Sequence, residues 1–188
     1  VAKPQIIMKN TNTKPNRTNN KQFLLSIAFC LLFTAFSFAQ NTWTEKAPLP
    51  ALVRYGAVGF SIGTKGYIGT GEQGNTLYKD FWEYDPIANS WTQKANFGGT
   101  ARQGAVGFSI SSKGYVGTGY DGSVLKQDFW EYDPLTNVWT QRANFTGTAR
   151  WWATGFSIGN KGYIGTGAGA GSAGKDFFEY DPSTDLWT

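Results

Sequence analysis

The chain has no histidine, a single cysteine, a single methionine and only seven prolines. Without imidazole there is no Ser-His-Asp triad, no His-ligated zinc or copper and no histidine acid-base group. Charged residues make up only 16% of the sequence, whereas glycine supplies 24 positions and aromatic residues another 16%. That balance argues against a helical bundle, a coiled coil or a disordered polyampholyte. The one cysteine, Cys30, lies in an apolar run near the N-terminus, so residues 40–188 contain no disulfide, no thiol nucleophile and no thiolate metal site. No metal or cofactor is expected.

The formal charge of +4 comes from the N-terminal segment. Residues 1–39 carry five basic residues (Lys3, Lys9, Lys14, Arg17 and Lys21) and no acid, leaving 12 basic against 13 acidic residues in 40–188. The body of the protein is near neutral and has no electrostatic footprint for a phosphate backbone, which excludes nucleic acid as a partner.

Residues 1–22 are polar and basic, and an apolar run, Phe23 to Phe38, follows them. Ser37 and Ala39 place small residues three and one positions before a cut after Ala39. This is the pattern of a secretory signal peptide over 1–39, with Met8 as a more natural start than Val1. The alternative, an uncleaved anchor, needs a span of roughly 20 apolar residues, and this run is shorter. The expectation is an exported protein (secreted, periplasmic or at the cell surface) with no integral membrane span after cleavage.

From residue 43 onward the sequence repeats every 48 positions. Trp43, Trp91, Trp139 and Trp187 mark the step, as do Arg54, Arg102 and Arg150, and Asp80, Asp128 and Asp176. Units 43–90 and 91–138 share 28 of 48 residues without an insertion, and a third unit covers 139–186. Each unit holds short aromatic and β-branched runs separated by Gly, Pro and Asn. In the first they are 56–62, 65–71, 80–85 and 91–94, with a polar loop over 72–79. Four strands per repeat form one small antiparallel sheet that cannot bury both faces alone, and radial stacking of such sheets gives a β-propeller.

Each unit resembles a kelch repeat. The carrying residues are Gly69-Thr70-Gly71, Gly117-Thr118-Gly119 and Gly165-Thr166-Gly167, which depart from the usual Gly-Gly doublet, and the Tyr-Asp-Pro-x-x-x-x-Trp elements starting at Tyr84, Tyr132 and Tyr180. The resemblance covers residues 43–188 and implies an all-β, kelch-type β-propeller of three four-stranded blades, an incomplete ring. In kelch propellers an N-terminal strand such as Trp43–Lys46 completes the last blade. The array is cut at Thr188, so the chain is expected to be a piece of a longer protein or a half-ring that closes as a homodimer.

Residues repeated in every unit, such as the Asp80 and Glu83 series, are expected to serve the scaffold, by pairing with Lys65, Lys113 and Lys161 or by capping turns. By the kelch resemblance Arg54, Arg102 and Arg150 lie near one mouth of the central channel, where they either contact ligand or bind neighbouring loop carbonyls. Differences between units are a sharper pointer. Position 55/103/151 is Tyr55, Gln103 and Trp151; the next is Gly56, Gly104 and Trp152; the loops after the second strand diverge, with Tyr120 and Asp121 in the second unit. These side chains are the ligand-binding candidates, and no catalytic residue is singled out.

The resemblance extends to galactose-oxidase-like proteins, whose copper-radical site needs His, Tyr and a Cys-linked Tyr. Residues 40–188 lack His and Cys, so that activity does not carry over. Periplasmic sialic acid epimerases also use kelch propellers, but the sequence does not place their site. The expected function is a non-catalytic exported module that binds glycan or protein. The alternatives are the N-terminal part of a secreted carbohydrate-active enzyme with its catalytic residues beyond the C-terminus, and a structural spacer of a surface protein.

Overall fold

The computed structural model describes residues 42–188, and the expected leader over 1–39 lies outside the described residues. No described helix is long and apolar enough to cross a membrane. Residues 46–188 are all-β. The first sheet joins β1 (Val58–Ile62), β2 (Lys65–Gly69), β5 (Phe81–Asp85) and β6 (Ser90–Lys94) in that order. The second joins β7 (Val106–Ile110), β8 (Lys113–Gly117), β9 (Phe129–Asp133) and β10 (Val138–Arg142), and the third β11 (Thr154–Ile158), β12 (Lys161–Gly165), β13 (Phe177–Asp181) and β14 (Leu186–Trp187). All pairings are antiparallel. Three blade-like sheets therefore stand in sequence, meeting mainly through their first two strands.

Three local details differ from the sequence expectation. First strands begin at Val58, Val106 and Thr154, because the preceding Gly56 and Gly104 turn into the left-handed region at φ 63° and 60°. The first loop, 72–79, contains a hairpin, β3 (Glu72–Gln73) and β4 (Thr76–Leu77), with Gly74 at φ 60° in its two-residue turn. Trp43–Lys46 forms no strand, and Trp43 is fully exposed.

Strand alternation gives the first strand of each sheet one large face and one small face, and the small face also carries Ile68, Trp82 and Tyr84 farther along the first sheet. On one face Val58, Phe60 and Ile62 stand beside Tyr67 and Phe81; on the other are Gly59, Ser61 and Gly66. The large face of the first sheet packs onto the small face of the second. A Cβ on Gly107 would lie 2.2 Å from Val58 Cγ2, and one on Gly114 would lie 2.4 Å from Phe60 Cε2. Val106 and Phe108 meet Gly155 and Gly162 in the same way. Farther out Phe81 packs edge-on against Tyr132 and Trp139, and Phe129 against Tyr180 and Trp187. Glycine is required where two sheets close on each other, and aromatic rings fill the wider gap.

The Tyr-Asp-Pro-x-x-x-x-Trp element works as a clasp. Asp85 accepts hydrogen bonds from the backbone of Ile87 and Ala88, which shapes the turn. Tyr84, Tyr132 and Tyr180 donate their hydroxyls to Asn89, Asn137 and Asp185, which adopt φ 49°, 57° and 57°. Asn137 also accepts from the N–H of Ala95, and Trp139 Nε1 donates to the Ala95 carbonyl, so each clasp grips the segment leading in from the previous unit.

The repeated arginines form the second anchor. Arg102 and Asp128 make two parallel hydrogen bonds of 2.6 and 2.7 Å. Arg102 also donates to the carbonyls of Thr118 and Thr100 and to the Thr100 hydroxyl, while its guanidinium lies over the Phe97 ring. All five N–H donors thus find acceptors. Arg150 repeats the set with Asp176, Thr166 and Thr148, over Phe145. Arg54 pairs with Asp80 and with the carbonyls of Thr70 and Leu52. Leucine at 52 offers no hydroxyl. The Asp80 series therefore binds arginine rather than lysine; Lys65, Lys113 and Lys161 pair instead with Asp85, Asp133 and Asp181.

These contacts set an expected mutational contrast. The Arg102 side chain is 0% exposed in its pair, so Asp128→Ala strands a buried cation and is expected to cost about 3–5 kcal/mol in urea unfolding. Lys113→Ala breaks a pair that is 29% and 24% exposed and is expected to have a much smaller effect. Equal losses for the two variants would contradict this assignment.

The pH dependence follows from the same pairs. Burial opposes the charge of Asp128, but the hydrogen bonds and charge of Arg102 and the Trp130 indole outweigh it and hold the carboxyl below its ordinary value. Arg54 does the same for Asp80 against burial, and hydrogen bonding to Arg150 lowers Asp176. A carboxyl lowered in the folded state contributes stability that is whole above its unfolded value of 3.8 and is lost as pH falls toward the lowered one. Urea midpoints are therefore expected to hold from neutrality to about pH 5 and to fall below it. A midpoint that rises on acidification would contradict the assignment.

Candidate functional site

The ends of the first strand lead-ins and of the second strands gather at one end of the sheets. There Tyr55 pairs through its backbone with Glu72, Gln103 with Tyr120, and Trp151 with Ala168, each with two N–H to carbonyl bonds of 2.9 and 3.0 Å. The next residue of each unit extends a line across the sheets: Gly104 N–H donates to the Gly56 carbonyl at 2.9 Å and Trp152 N–H to the Gly104 carbonyl at 2.8 Å. Positions that vary between near-identical units are thus set side by side by repeated backbone bonds.

Side chains connect the units at this end. Glu72 accepts from the Tyr55 hydroxyl and, at 2.5 Å, from the Gln103 amide of the next sheet. Hydrogen bonding to Glu72 raises the Tyr55 phenol above its ordinary value. Tyr120 and Trp151 approach at 5.5 Å between ring centroids, and Trp151 and Trp152 at 6.0 Å. The result is a row of carboxylate, amide and aromatic groups, with Tyr55 54% and Trp152 52% exposed and Gln103 buried behind them.

Trp152 is unlike its equivalents. It takes φ 53°, matching the left-handed Gly56 and Gly104, where an L side chain is strained by about 1–3 kcal/mol. Its indole runs over both glycines: Cβ positions built on Gly56 and Gly104 would lie 3.1 Å from Trp152 Cη2 and 3.4 Å from Trp152 Cδ2. The glycines of two units make room for the indole of the third. Left-handed backbone also occurs at the repeated Thr70, Thr118 and Thr166 and at Asn89, Asn137 and Asp185, but Trp152 alone among these carries a large, half-exposed side chain.

The sequence candidates separate into two groups. Tyr55, Gln103, Tyr120, Trp151 and Trp152 come together at this end. Arg54, Arg102 and Arg150 stand beneath it with their donors turned into the blades, and the guanidinium groups of Arg102 and Arg150 have no N–H left for a ligand. Asp121 shapes its own loop, accepting from the backbone of Ser123 and Val124 and pairing with Lys126. Burial opposes its charge, yet these partners hold its carboxyl down at about 2. Glu72 is the residue the sequence reading missed. Its signal was present, because it holds the register of Tyr120 in the preceding unit.

Next to the row is a cleft of about 550 Å³ between the loop from Tyr120 to Leu125 and the loop from Gly169 to Gly174, floored by Thr148 and Ala149. Tyr120 belongs to both features. Among the described residues no group of three or more Cys, Asp or Glu gathers as a metal site would require.

No family model matches this sequence, and no curated protein matches it. The solved structure of YjhT is similar in fold, with a TM-score of 0.69 and 20% identity over 81% of this chain. The match takes in 56% of YjhT, so this chain spans little more than half of that protein's length. The likeness shows an all-β arrangement of blade-like, four-stranded antiparallel sheets.

Proposed function

We propose that this chain is part of an exported kelch-type propeller that binds a glycan at the end carrying Tyr55, Glu72, Gln103, Tyr120, Trp151 and Trp152. The observation that carries the reading is where the units differ. Positions 55/103/151 (Tyr, Gln, Trp) and 72/120/168 (Glu, Tyr, Ala) differ in all three units, 56/104/152 is Gly, Gly and Trp, and these three positions lie together at one end. The clasp and the glycine approaches give the Tyr-Asp-Pro-x-x-x-x-Trp and Gly-Thr-Gly elements consistent structural work, which supports the kelch resemblance. The basic and apolar pattern of 1–39 supports export.

The chemistry suits a sugar. A pyranose presents an apolar C–H face, which packs on the electron-rich face of an indole or phenol. Its hydroxyls need both donors and acceptors, which Glu72, Gln103 and the Tyr55 hydroxyl supply. The row lacks a cluster of free cations that would favour phosphate. Binding rather than turnover is the reading that this polar and aromatic surface supports.

The test is a glycan array on the protein, followed by calorimetry on the best-bound oligosaccharide. Trp152→Gly restores the residue of the other two units and relieves the left-handed strain. It is expected to leave the unfolding midpoint within about 1 kcal/mol of the parent. The same change is expected to weaken binding about tenfold or more, an effect of about 1.4 kcal/mol. Glu72→Ala is expected to weaken binding too, by removing the acceptor shared by Tyr55 and Gln103. Unchanged affinity in both variants would remove this end of the molecule from the binding site.

A further inference from the structure

The loop after the second strand keeps its backbone frame in the third unit but loses its side chains. Gly169 N–H donates to the Ser172 carbonyl and Gly174 N–H to the Gly167 carbonyl, both at 2.9 Å. The second unit makes the same two bonds, from Asp121 to Val124 and from Lys126 to Gly119. Residues 168–174 nevertheless hold nothing larger than serine, where the second unit carries Tyr120, Asp121, Val124, Leu125 and Lys126.

This stripping decides whether neighbouring loops touch. Between the first and second units they do: a Cβ on Gly122 would lie 3.1 Å from Leu77 Cδ1. The equivalent residues of the next pair, Leu125 and Ala170, instead stand on the two walls of the cleft. A Cβ on Gly171, at the loop tip, would meet nothing within 4 Å. The opening of about 550 Å³ lies within the roughly 300–1,000 Å³ of small-molecule sites. Both walls come from consecutive units, so both are in place among the described residues.

The lining selects an uncharged ligand rich in hydroxyls. Arg150 is its one charged residue, and its donors are all engaged by Asp176, Thr166 and Thr148. The Thr148 hydroxyl oxygen accepts from Arg150 Nη2 at 3.0 Å, which leaves the hydroxyl proton to donate to a ligand on the cleft floor. Ser123 and Ser172 add a hydroxyl from each wall, and Tyr120, Val124 and Leu125 supply apolar area. An ionic ligand would lose its hydration here with no unpaired countercharge to offset the loss. Tyr120 also faces Trp151 at 5.5 Å, so the cleft continues the aromatic row.

We propose that the cleft is a second subsite, taking the neighbouring unit of an uncharged oligosaccharide whose other unit packs on Trp151 and Trp152. This inference rests on the reading of the row as a glycan site and adds the ligand's charge, its minimum length and the direction in which it runs. Linked subsites make the second contact intramolecular, so affinity rises with ligand length until both are filled.

The probes are uncharged gluco-, manno-, xylo- and galacto-oligosaccharides of one to four units, with oligogalacturonides as the acidic series, each titrated calorimetrically onto the full chain. In the uncharged series that binds, affinity is expected to rise about tenfold or more beyond the monosaccharide and then level off, and the acidic series is expected to bind more weakly. Gly169→Gln gives the third unit the residue of the first, Gln73. A Cβ there would meet nothing nearer than the Ala149 carbonyl at 3.4 Å and Thr148 Oγ1 at 3.7 Å, so the side chain starts without a clash and runs over the cleft floor. Ser172→Val gives the same loop the residue of the second unit, Val124. Both variants are expected to keep the native near-UV tryptophan spectrum and monosaccharide binding while losing the gain with length; Trp152→Gly is expected to weaken every length alike. A flat length dependence in the parent, tighter binding of the acidic series, or a gain that survives both cleft variants would overturn the subsite. The glycan reading then stands if Trp152→Gly still weakens binding and falls if it does not. Binding of no member of the panel would overturn both.

Discussion

The paired hydrogen bonds between a buried arginine and an aspartate 26 residues later are the constraint on which each blade depends. The arginine sits in the lead-in to the first strand and the aspartate at the start of the third. The threonine whose carbonyl completes the set lies just after the second strand. One guanidinium therefore ties three separate pieces of chain at the same end of the sheet. Such a group is costly to bury unless every donor is met, and in the second and third units every donor is met. With that end held rigid, the residues directly beyond it can vary without disturbing the sheets below.

The end that carries the variable positions inherits its geometry from this anchor. Position 55/103/151 follows the arginine directly, and position 72/120/168 stands two residues after the anchored threonine. Their side chains can change from tyrosine to glutamine to tryptophan because their backbone bonds do not depend on side-chain identity. Trp152 uses the same freedom at greater cost, accepting a left-handed backbone so that its indole reaches across two neighbouring glycines. The arrangement separates the part that must repeat from the part that is free to vary.

The contact between sheets follows a second rule, large face onto glycine face. It accounts for the glycines at 107, 114, 155 and 162 through distances that admit no Cβ. It also gives the molecule direction, because the first strand of each sheet has one face of each kind. An array built this way has a large face at one end and a small face at the other for any number of units. Phe156 of the third sheet is accordingly 40% exposed, and a Cβ on Gly66 of the first would meet nothing nearer than 3.7 Å.

Much of this was legible in the residues. The 48-residue period, the four strands per unit and the terminal Tyr-Asp-Pro turns follow from spacing and from local preferences of aromatic, β-branched, glycine and proline residues, which act over a few neighbours. That 55/103/151 differs in all three units and that Trp152 replaces the glycine of positions 56 and 104 was also visible, since comparing repeats needs no coordinates. The partner of the arginine was not. Asp80 and Asp85 are both repeated acids near Lys65, and sequence distance does not say which one faces a guanidinium; the strand register and the turn after the second strand decided it. Nor could the sequence show that Glu72 reaches Gln103 of the next sheet, because that contact depends on how closely the sheets stack. Local conformational preference and repetition are properties of the chain as written, whereas the choice among equivalent charges and the meeting of side chains from different units arise only when the sheets pack.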